Sequence, residues 1–354
     1  MQRLISATMK KKIATLLLFC VVLFFGCGRK EYPTLYIYCN ETFWFVMQEE
    51  ALAFNKIYGP RLVLIPVRAS RTSDGANETV EINGDPSAPA PWQSMPETQV
   101  TPREGIHRAQ MHPEIERLID NIAKESFGDL FLSDSQRHVE QLQRTALFAS
   151  EFPVCYLTLT MLVPTGNPHQ FRSVKDVFDS NGRLGIIDPL LDGLGEESLT
   201  VLGRVFNGDE SAIPMEFVQL YERQYDLLEA LEQNKIDAAL VWDATSLKNF
   251  LLAKYADEYN ADTRFEEFLR KAGRQRNPQI LRDVLDKIST ILFEEKNFAE
   301  EVLLTANPSE RQVISIRLIA LSSTSNHGLC KRFADFMRSN QGKVIFRRFG
   351  FVAP

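Results

Sequence analysis

Polar residues follow three apolar, strand-like segments at the points where a helical pattern begins. These polar segments are Asn40-Glu41-Thr42, Ser133-Asp134-Ser135 and Asp192-Gly193-Leu194-Gly195. In an open α/β sheet, loops at the carboxyl ends of the strands line the ligand crevice. A helix N-terminus there presents free backbone N–H groups and a partial positive charge, and Ser or Thr adds a hydroxyl donor. This arrangement predicts a site for a small anion that needs no Lys or Arg.

The same residue types have a purely structural use. Ser, Thr and Asp are preferred helix N-caps, so each junction taken singly is better explained as a cap than as a ligand contact. The sequence carries no GxSxG, HExxH or Walker-type loop, and its five His residues are scattered. It also has no CxxC motif or Cys/His cluster. We therefore predict a binding protein rather than an enzyme, with no cofactor and no metal site.

The first 26 residues have the pattern of an export signal. Lys10, Lys11 and Lys12 precede an uncharged stretch over 13–26, which is shorter than the roughly 17–25 residues of a spanning helix. The end of the stretch resembles a bacterial lipobox, although Phe25 stands where a small residue is usual. We predict a lipoprotein signal peptide over 1–26, a lipid on Cys27 and a tether over 27–34. An uncleaved N-terminal anchor is the alternative.

Charge and cysteine content restrict the partners of the mature chain. The formal charge of −6 becomes −10 when the four cations of 1–26 are removed, which disfavours nucleic-acid binding. Cys39, Cys155 and Cys330 are expected to be small buried apolar residues. A disulfide between Cys39 and Cys155 is an alternative in an oxidising compartment. Either anchor places the chain in the cell envelope, periplasmic or on the outer face of a membrane.

Strand and helix patterns alternate along the chain, which predicts the α/β class. It begins with a strand over 35–39, a helix opened by Thr42 and a strand over 62–67, a unit that is normally parallel. Further strands are predicted over 129–132, 155–163, 184–187, 238–242 and 314–321. Further helices are predicted over 113–126, 136–144, 174–178, from the 192–195 loop to 206, 218–233 and 328–339. Residues 69–112 look like a flexible surface insertion, and 249–300 like one or two added amphipathic helices.

Several segments, in order, resemble the solute-binding lipoproteins of ABC importers, in particular those of molybdate type. They are LYIYCNET at 35–42, GDLFLSDS at 128–135, LVPTGNP at 162–168 followed by VKDV at 174–177, NKIDAALV at 234–241, and the tail from Phe333 to Phe351. This resemblance implies a two-lobed periplasmic-binding-protein-like fold of type II, with two mixed sheets flanked by helices. It also implies a monomer that closes on its ligand and passes it to an ABC permease.

The resemblance also implies lobe boundaries. Lobe 1 would comprise 35–160 and 310–354, with the insertion 69–112. Lobe 2 would comprise 161–309, with the insertion 249–300. The ligand would be a small oxyanion of molybdate or tungstate type, bound between the lobes.

Site residues follow from the same matches. Thr42 and Ser133 correspond to the serines of the family's first two ligand loops. Leu194 and Gly195 fall on the loop whose backbone N–H faces the anion, and Trp242 stands where the family has a tyrosine. Glu41 replaces a small neutral residue and would repel an oxyanion if it faced the pocket. A different small solute, or a role as a lipoprotein ligand sensor, therefore stays open.

Overall fold

The computed structural model describes most of the chain after the predicted tether. The described residues are 33–67, 80–81, 113–243, 250–251, 254, 297–304 and 312–352. Cys27 and most of the two predicted insertions lie outside them.

The strands and helices alternate, as the sequence predicts. The strands are β1 (Thr34–Cys39), β2 (Arg61–Pro66), β3 (Val80–Glu81), β4 (Leu130–Ser133), β5 (Phe148–Pro164), β6 (Leu184–Ile187), β7 (Val218–Tyr221), β8 (Ala238–Trp242), β9 (Ala299–Val302) and β10 (Val313–Leu321). The helices are α1 (Trp44–Tyr58), α2 (Pro113–Glu125), α3 (Gln136–Arg144), α4 (Val174–Asp179), α5 (Gly193–Val205), α6 (Gln224–Glu232), α7 (His327–Met337) and α8 (Asn340–Arg348). Short 3-10 turns lie at Glu41–Phe43, Glu210–Ala212 and Met215–Phe217.

The strands form two mixed sheets that share β5. Sheet A has the order β3-β2-β1-β4-β10-β5, and sheet B continues β5-β8-β6-β7 with β9 also on β5. In β5, residues 148–158 pair with β10, and residues 159–164 pair with β8 and β9. Strands β1, β2 and β4 are parallel in sheet A, and β6, β7 and β8 are parallel in sheet B. The predicted parallel β1-α1-β2 unit is confirmed.

Helix boundaries near the sheet edges have local causes. Helix α1 ends at Gly59, whose left-handed φ of 80° suits glycine and whose N–H donates to the Asn55 carbonyl at 2.8 Å. Helix α3 is capped by Ser135, whose hydroxyl accepts the His138 backbone N–H at 3.2 Å. Helix α5 is capped by Asp192, whose carboxylate accepts the Gly195 N–H at 3.0 Å. The N-cap interpretation of these polar residues is therefore confirmed at Ser135 and Asp192.

Two segments differ from the predicted elements. The single helix predicted over 218–233 is wrong, because Val218–Tyr221 is a strand parallel to β6 and the helix begins only at Gln224. Val218 and Leu220 are buried with a partly exposed Gln219 between them, an alternation that a short window hides within a longer helical pattern. Strand β5 also begins earlier than predicted, because exposed polar residues interrupt its apolar pattern before Val154.

Buried aromatic and aliphatic side chains fill the space between the sheets and their helices. Phe54 of α1 packs against Phe333 and Phe336 of α7, with ring centroids 5.0 and 5.5 Å apart.

All three described cysteines are buried free thiols, so the alternative of a Cys39–Cys155 disulfide is wrong. The predicted helices within 249–300 include Ala299–Glu300, which instead belong to β9. Within the described ranges, no helix is both long and apolar enough to cross a membrane.

Candidate functional site

A buried carboxylate lies where the carboxyl ends of the parallel strands meet. Asp134 directly follows β4, and its carboxylate accepts three hydrogen bonds. The donors are the Asn40 side-chain amide at 2.6 Å, the Trp242 indole N–H at 2.8 Å and the Gly193 backbone N–H at 3.3 Å. They come from the loop after β1, the end of β8 and the first turn of α5. Three separate elements thus point neutral N–H groups at one carboxyl group.

Asp134 is buried and surrounded by polar groups. Burial raises the pKa of its carboxyl, while the hydrogen bonds from Trp242, Gly193 and Asn40 oppose that rise. The carboxylate also lies at the N-terminus of α5, where the helix dipole favours negative charge. Asn40 is itself buried, and its side-chain oxygen has no hydrogen-bond partner among the described residues. The site therefore combines anion-binding donors with one remaining acceptor.

Gly193 sets the close approach of α5 to the loop after β4. A Cβ atom at this position would lie 2.1 Å from the Asp134 carbonyl oxygen and 2.8 Å from the Ser135 nitrogen. Both contacts are with backbone atoms, which cannot turn aside as a flexible side chain does. Only glycine lets the helix N-terminus reach the Asp134 carboxylate.

A second carboxyl joins the same two elements. The Ser135 hydroxyl donates to the carboxylate of Glu196 in α5, and the Arg137 guanidinium Nε lies 3.8 Å from that carboxylate. Arg137 also donates through Nη1 to the Pro189 carbonyl at 2.8 Å. Burial is the largest cause that raises the pKa of Glu196 to about 7. Its charge therefore changes in the physiological range.

Replacing Glu196 by Gln should change the pH dependence of stability. Because the folded-state pKa is raised from 4.5 to about 7, the folded chain binds more protons than the unfolded chain in this window. The stability of the natural chain therefore falls as pH rises through that window. We expect Glu196→Gln to gain about 1–2 kcal/mol relative to the natural chain on going from about pH 5 to about pH 8.

Denaturant unfolding at several pH values measures this difference. The matched control is Glu140→Gln on the exposed face of α3, which should leave the pH profile nearly unchanged. If stability depends on pH in the same way in Glu196→Gln and in the natural chain, the raised pKa of Glu196 is wrong.

The two hydroxyls predicted as ligand donors are buried and engaged within the chain. The Thr42 hydroxyl accepts a hydrogen bond from the Gln224 side-chain amide at 2.6 Å. The Ser133 hydroxyl lies 2.8 Å from His138 Nδ1 and accepts the Ser135 backbone N–H at 3.0 Å. Burial is the main cause that lowers the pKa of His138 to about 4, so this imidazole is neutral at pH 7. Both hydroxyls lie beside the Asp134 site rather than on it.

The remaining predicted residues surround the site at different points. Leu194 is fully buried in the first turn of α5, and the Gly195 N–H is taken by Asp192. Trp242 reaches Asp134 directly. Glu41 opens the 3-10 turn after β1, and its side chain lies outside the described part. Among the described residues, no group of three or more His, Cys, Asp or Glu could hold a metal ion.

Three residues of the site were not chosen from the sequence. Asn40, Asp134 and Gly193 each lie in a predicted junction, next to the residues that the family resemblance selects. A fourth, Gln224, was hidden because the sequence pattern placed it inside a helix. The signal for Asn40 and Asp134 was their position directly after a strand, where side chains point towards the crevice.

The two mixed sheets joined through β5, with polar loops converging at the carboxyl ends of their parallel strands, define a protein of the periplasmic-binding class, type II. Residues 115–352 match the family of bacterial extracellular solute-binding proteins, and the chain belongs to this family. Its place of action is therefore the periplasm or cell envelope. No protein among those with curated functions matches the chain.

Solved structures share the fold at low sequence identity. The periplasmic molybdate-binding protein of Azotobacter vinelandii has 12% identity and a TM-score of 0.53, over 90% of this chain and 99% of that chain. Iron-bound HitA of Pseudomonas aeruginosa has 13% identity and a TM-score of 0.53, over 89% of this chain and 84% of that chain. The sulfate-binding protein SubI of Mycobacterium tuberculosis has 11% identity and a TM-score of 0.52, over 90% of this chain and 86% of that chain. The predicted fold class is confirmed, and these similarities carry no ligand with them.

Proposed function

We propose that the chain is the membrane-tethered solute-binding component of an ABC importer, and that it binds a small oxyanion of molybdate or tungstate type. One observation carries the proposal. The N–H groups of Asn40, Trp242 and Gly193 converge on the carboxyl group of one buried side chain, Asp134. Donors that hold a carboxylate can also hold an oxyanion, because both present oxygen acceptors with negative charge.

The proposed binding place lies between two lobes, 35–160 with 310–354 and 161–309. The change of strand partners along β5 between Thr158 and Leu159 supports this division. Asn40 and Asp134 would belong to lobe 1, and Gly193 and Trp242 to lobe 2. Solute binding would therefore depend on closure of one lobe on the other.

The residues predicted from the sequence would complete the site. Thr42 and Ser133 would contribute hydroxyls once their present partners turn away, and Leu194 and Gly195 would contribute the first turn of α5. Glu41, if it faces the pocket, would repel an oxyanion and so lower the affinity of the site. The free side-chain oxygen of Asn40 would accept a hydrogen bond from a protonated solute oxygen.

The proposed tether is a lipid on Cys27. A lipid anchor would keep the receptor close to the permease and raise its effective concentration there. The chain would act as a monomer, with no nucleic-acid partner and no catalysis.

A thermal-shift screen of the purified full-length chain tests the solute class. Molybdate or tungstate at about ten times its dissociation constant should raise Tm by about 3–5 °C. Sulfate, phosphate, metal cations and small organic acids complete the screen. If molybdate and tungstate give no shift while another solute gives a clear one, the molybdate or tungstate proposal is wrong, and the chain binds a different solute for import or sensing.

A pair of variants locates the binding place. Asn40→Ala removes one donor and should weaken oxyanion binding about tenfold, as expected for a hydrogen bond to a charged group. Gln136→Ala, at the exposed start of α3, should leave the affinity unchanged. Equal affinities for the two variants would place the solute elsewhere.

A further inference from the structure

The proposed solute donors are engaged by the chain's own side chains. Asp134 takes the N–H groups of Asn40, Trp242 and Gly193, and Asp192 takes that of Gly195. The carboxylate of Asp134 is thus bound in the manner proposed for the solute. It reaches these donors from within the chain, one residue after β4.

The contacts around Asp134 also join the two proposed lobes. The Gln224 amide donates to Thr42 at 2.6 Å, and the Arg137 guanidinium donates to the Pro189 carbonyl at 2.8 Å. Together with the Asp134 bonds to Trp242 and Gly193, these contacts link the loops after β1 and β4 and helix α3 to sheet B, α5, α6 and the loop after β6. The two proposed lobes are therefore held in contact by residues of the chain itself.

We propose that Asp134 is a tethered substitute for the anionic solute, occupying the solute's donors and holding the lobes together until an oxyanion displaces it. This inference rests on the proposed function. Displacement by solute would break the bonds of Asp134 to Asn40, Trp242 and Gly193 and make new ones to the solute oxygens. Asp134 would then be a residue that determines specificity.

Competition with Asp134 would select the solute. An intramolecular carboxylate competes at high effective concentration, so a free planar monocarboxylate gains nothing by replacing it. A tetrahedral dianion has more acceptor oxygens and more charge to offer the same donors. The geometry therefore favours a small tetrahedral oxyanion and rejects free monocarboxylates such as formate and acetate.

Chemical rescue of Asp134→Ala tests this inference. Alanine removes the carboxylate and leaves room for one of similar size, so formate should bind in its place. With the full-length chain and ionic strength held constant with sodium chloride, about 100 mM sodium formate should raise the Tm of Asp134→Ala by about 2–5 °C. The natural chain and Asp134→Asn, which keeps the side-chain volume, should not respond. An Asp134→Ala variant that folds and gives no larger shift than the natural chain would overturn the inference.

A measurement on the natural chain covers the case in which Asp134→Ala does not fold. The indole N–H resonance of Trp242, assigned by its loss in Trp242→Phe, should not move with formate in the natural chain, because Asp134 already holds that N–H. A formate-dependent shift there would overturn the inference. If Asp134→Ala responds to formate but no variant responds to molybdate or tungstate, the proposed solute fails and the role of Asp134 stands. If the natural chain binds molybdate while Asp134→Ala ignores formate, only the role of Asp134 fails.

Discussion

Replacing Gly193 by Ala is expected to destabilise the protein by about 3–4 kcal/mol and to weaken oxyanion binding at the same time. The added Cβ would lie 2.1 Å from the Asp134 carbonyl oxygen, inside any normal contact distance. Because the neighbouring atoms are backbone, α5 and the loop after β4 must separate. The separation lengthens the hydrogen bond from the Gly193 N–H to Asp134, which is already 3.3 Å. The free energy of unfolding and the affinity for the oxyanion should therefore fall together.

Denaturant unfolding and the molybdate titration measure the two consequences of Gly193→Ala. Gly328 in the first turn of α7 supplies the matched control, since a Cβ there meets no atom within 4 Å. Gly328→Ala should be neutral or stabilise by about 0.5–1 kcal/mol, as alanine favours helices. If the two variants unfold at the same denaturant concentration, the close packing of α5 on the Asp134 loop does not exist.

The fold could be predicted from the sequence because its elements are locally encoded. The strands Leu184–Ile187 and Ala238–Trp242 were predicted with the bounds that they have, since each is a short apolar run between turn signals. Val218–Tyr221 could not be separated from α6, because its strand character comes from pairing with β6, which is remote in the chain. Pairing of this kind is a tertiary property, and local periodicity does not contain it.

At two junctions, the residue that takes part in the hydrogen bonds of Asp134 lies beside a residue that the sequence selects, Asn40 beside Glu41 and Asp134 beside Ser133. The sequence selects Ser133 for its hydroxyl, whereas the side chain directed at Asn40 and Trp242 is that of Asp134. Successive side chains along a strand point to opposite faces. The Ser133 side chain therefore contacts His138, and the next side chain, that of Asp134, points the other way into the crevice. At the third junction the useful group is the Gly193 N–H rather than that of Gly195, because Asp192 caps the latter.

The presence of an anion within the site could not be predicted. Three polar junctions indicate donors, but whether a donor meets a solute or an internal carboxylate depends on how the loops pack across the two sheets. Asp134 and Asn40 are 94 positions apart and still form a hydrogen bond. A local pattern contains no information on such a contact.

Trp242→Phe is the second change from which we expect a large effect, a loss of about 3 kcal/mol. The indole is fully buried, so the smaller ring leaves unfilled volume. The change also removes the N–H that donates to Asp134 at 2.8 Å. A buried carboxyl oxygen that loses its donor bears a desolvation cost. The loss should thus exceed that of a packing defect alone.

A double-mutant cycle separates the two contributions to the Trp242→Phe effect. In an Asp134→Ala background the hydrogen bond from the indole to Asp134 is already lost. Trp242→Phe should then destabilise the protein only through poorer packing, by about 1–2 kcal/mol. The difference between the two backgrounds, at least about 1 kcal/mol, is the coupling between Trp242 and Asp134. A coupling near zero, measured by denaturant unfolding, would mean that the indole is a core residue and contributes nothing to holding the charge. A clear coupling would mean that the indole N–H and the Asp134 carboxyl group stabilise the fold through their hydrogen bond.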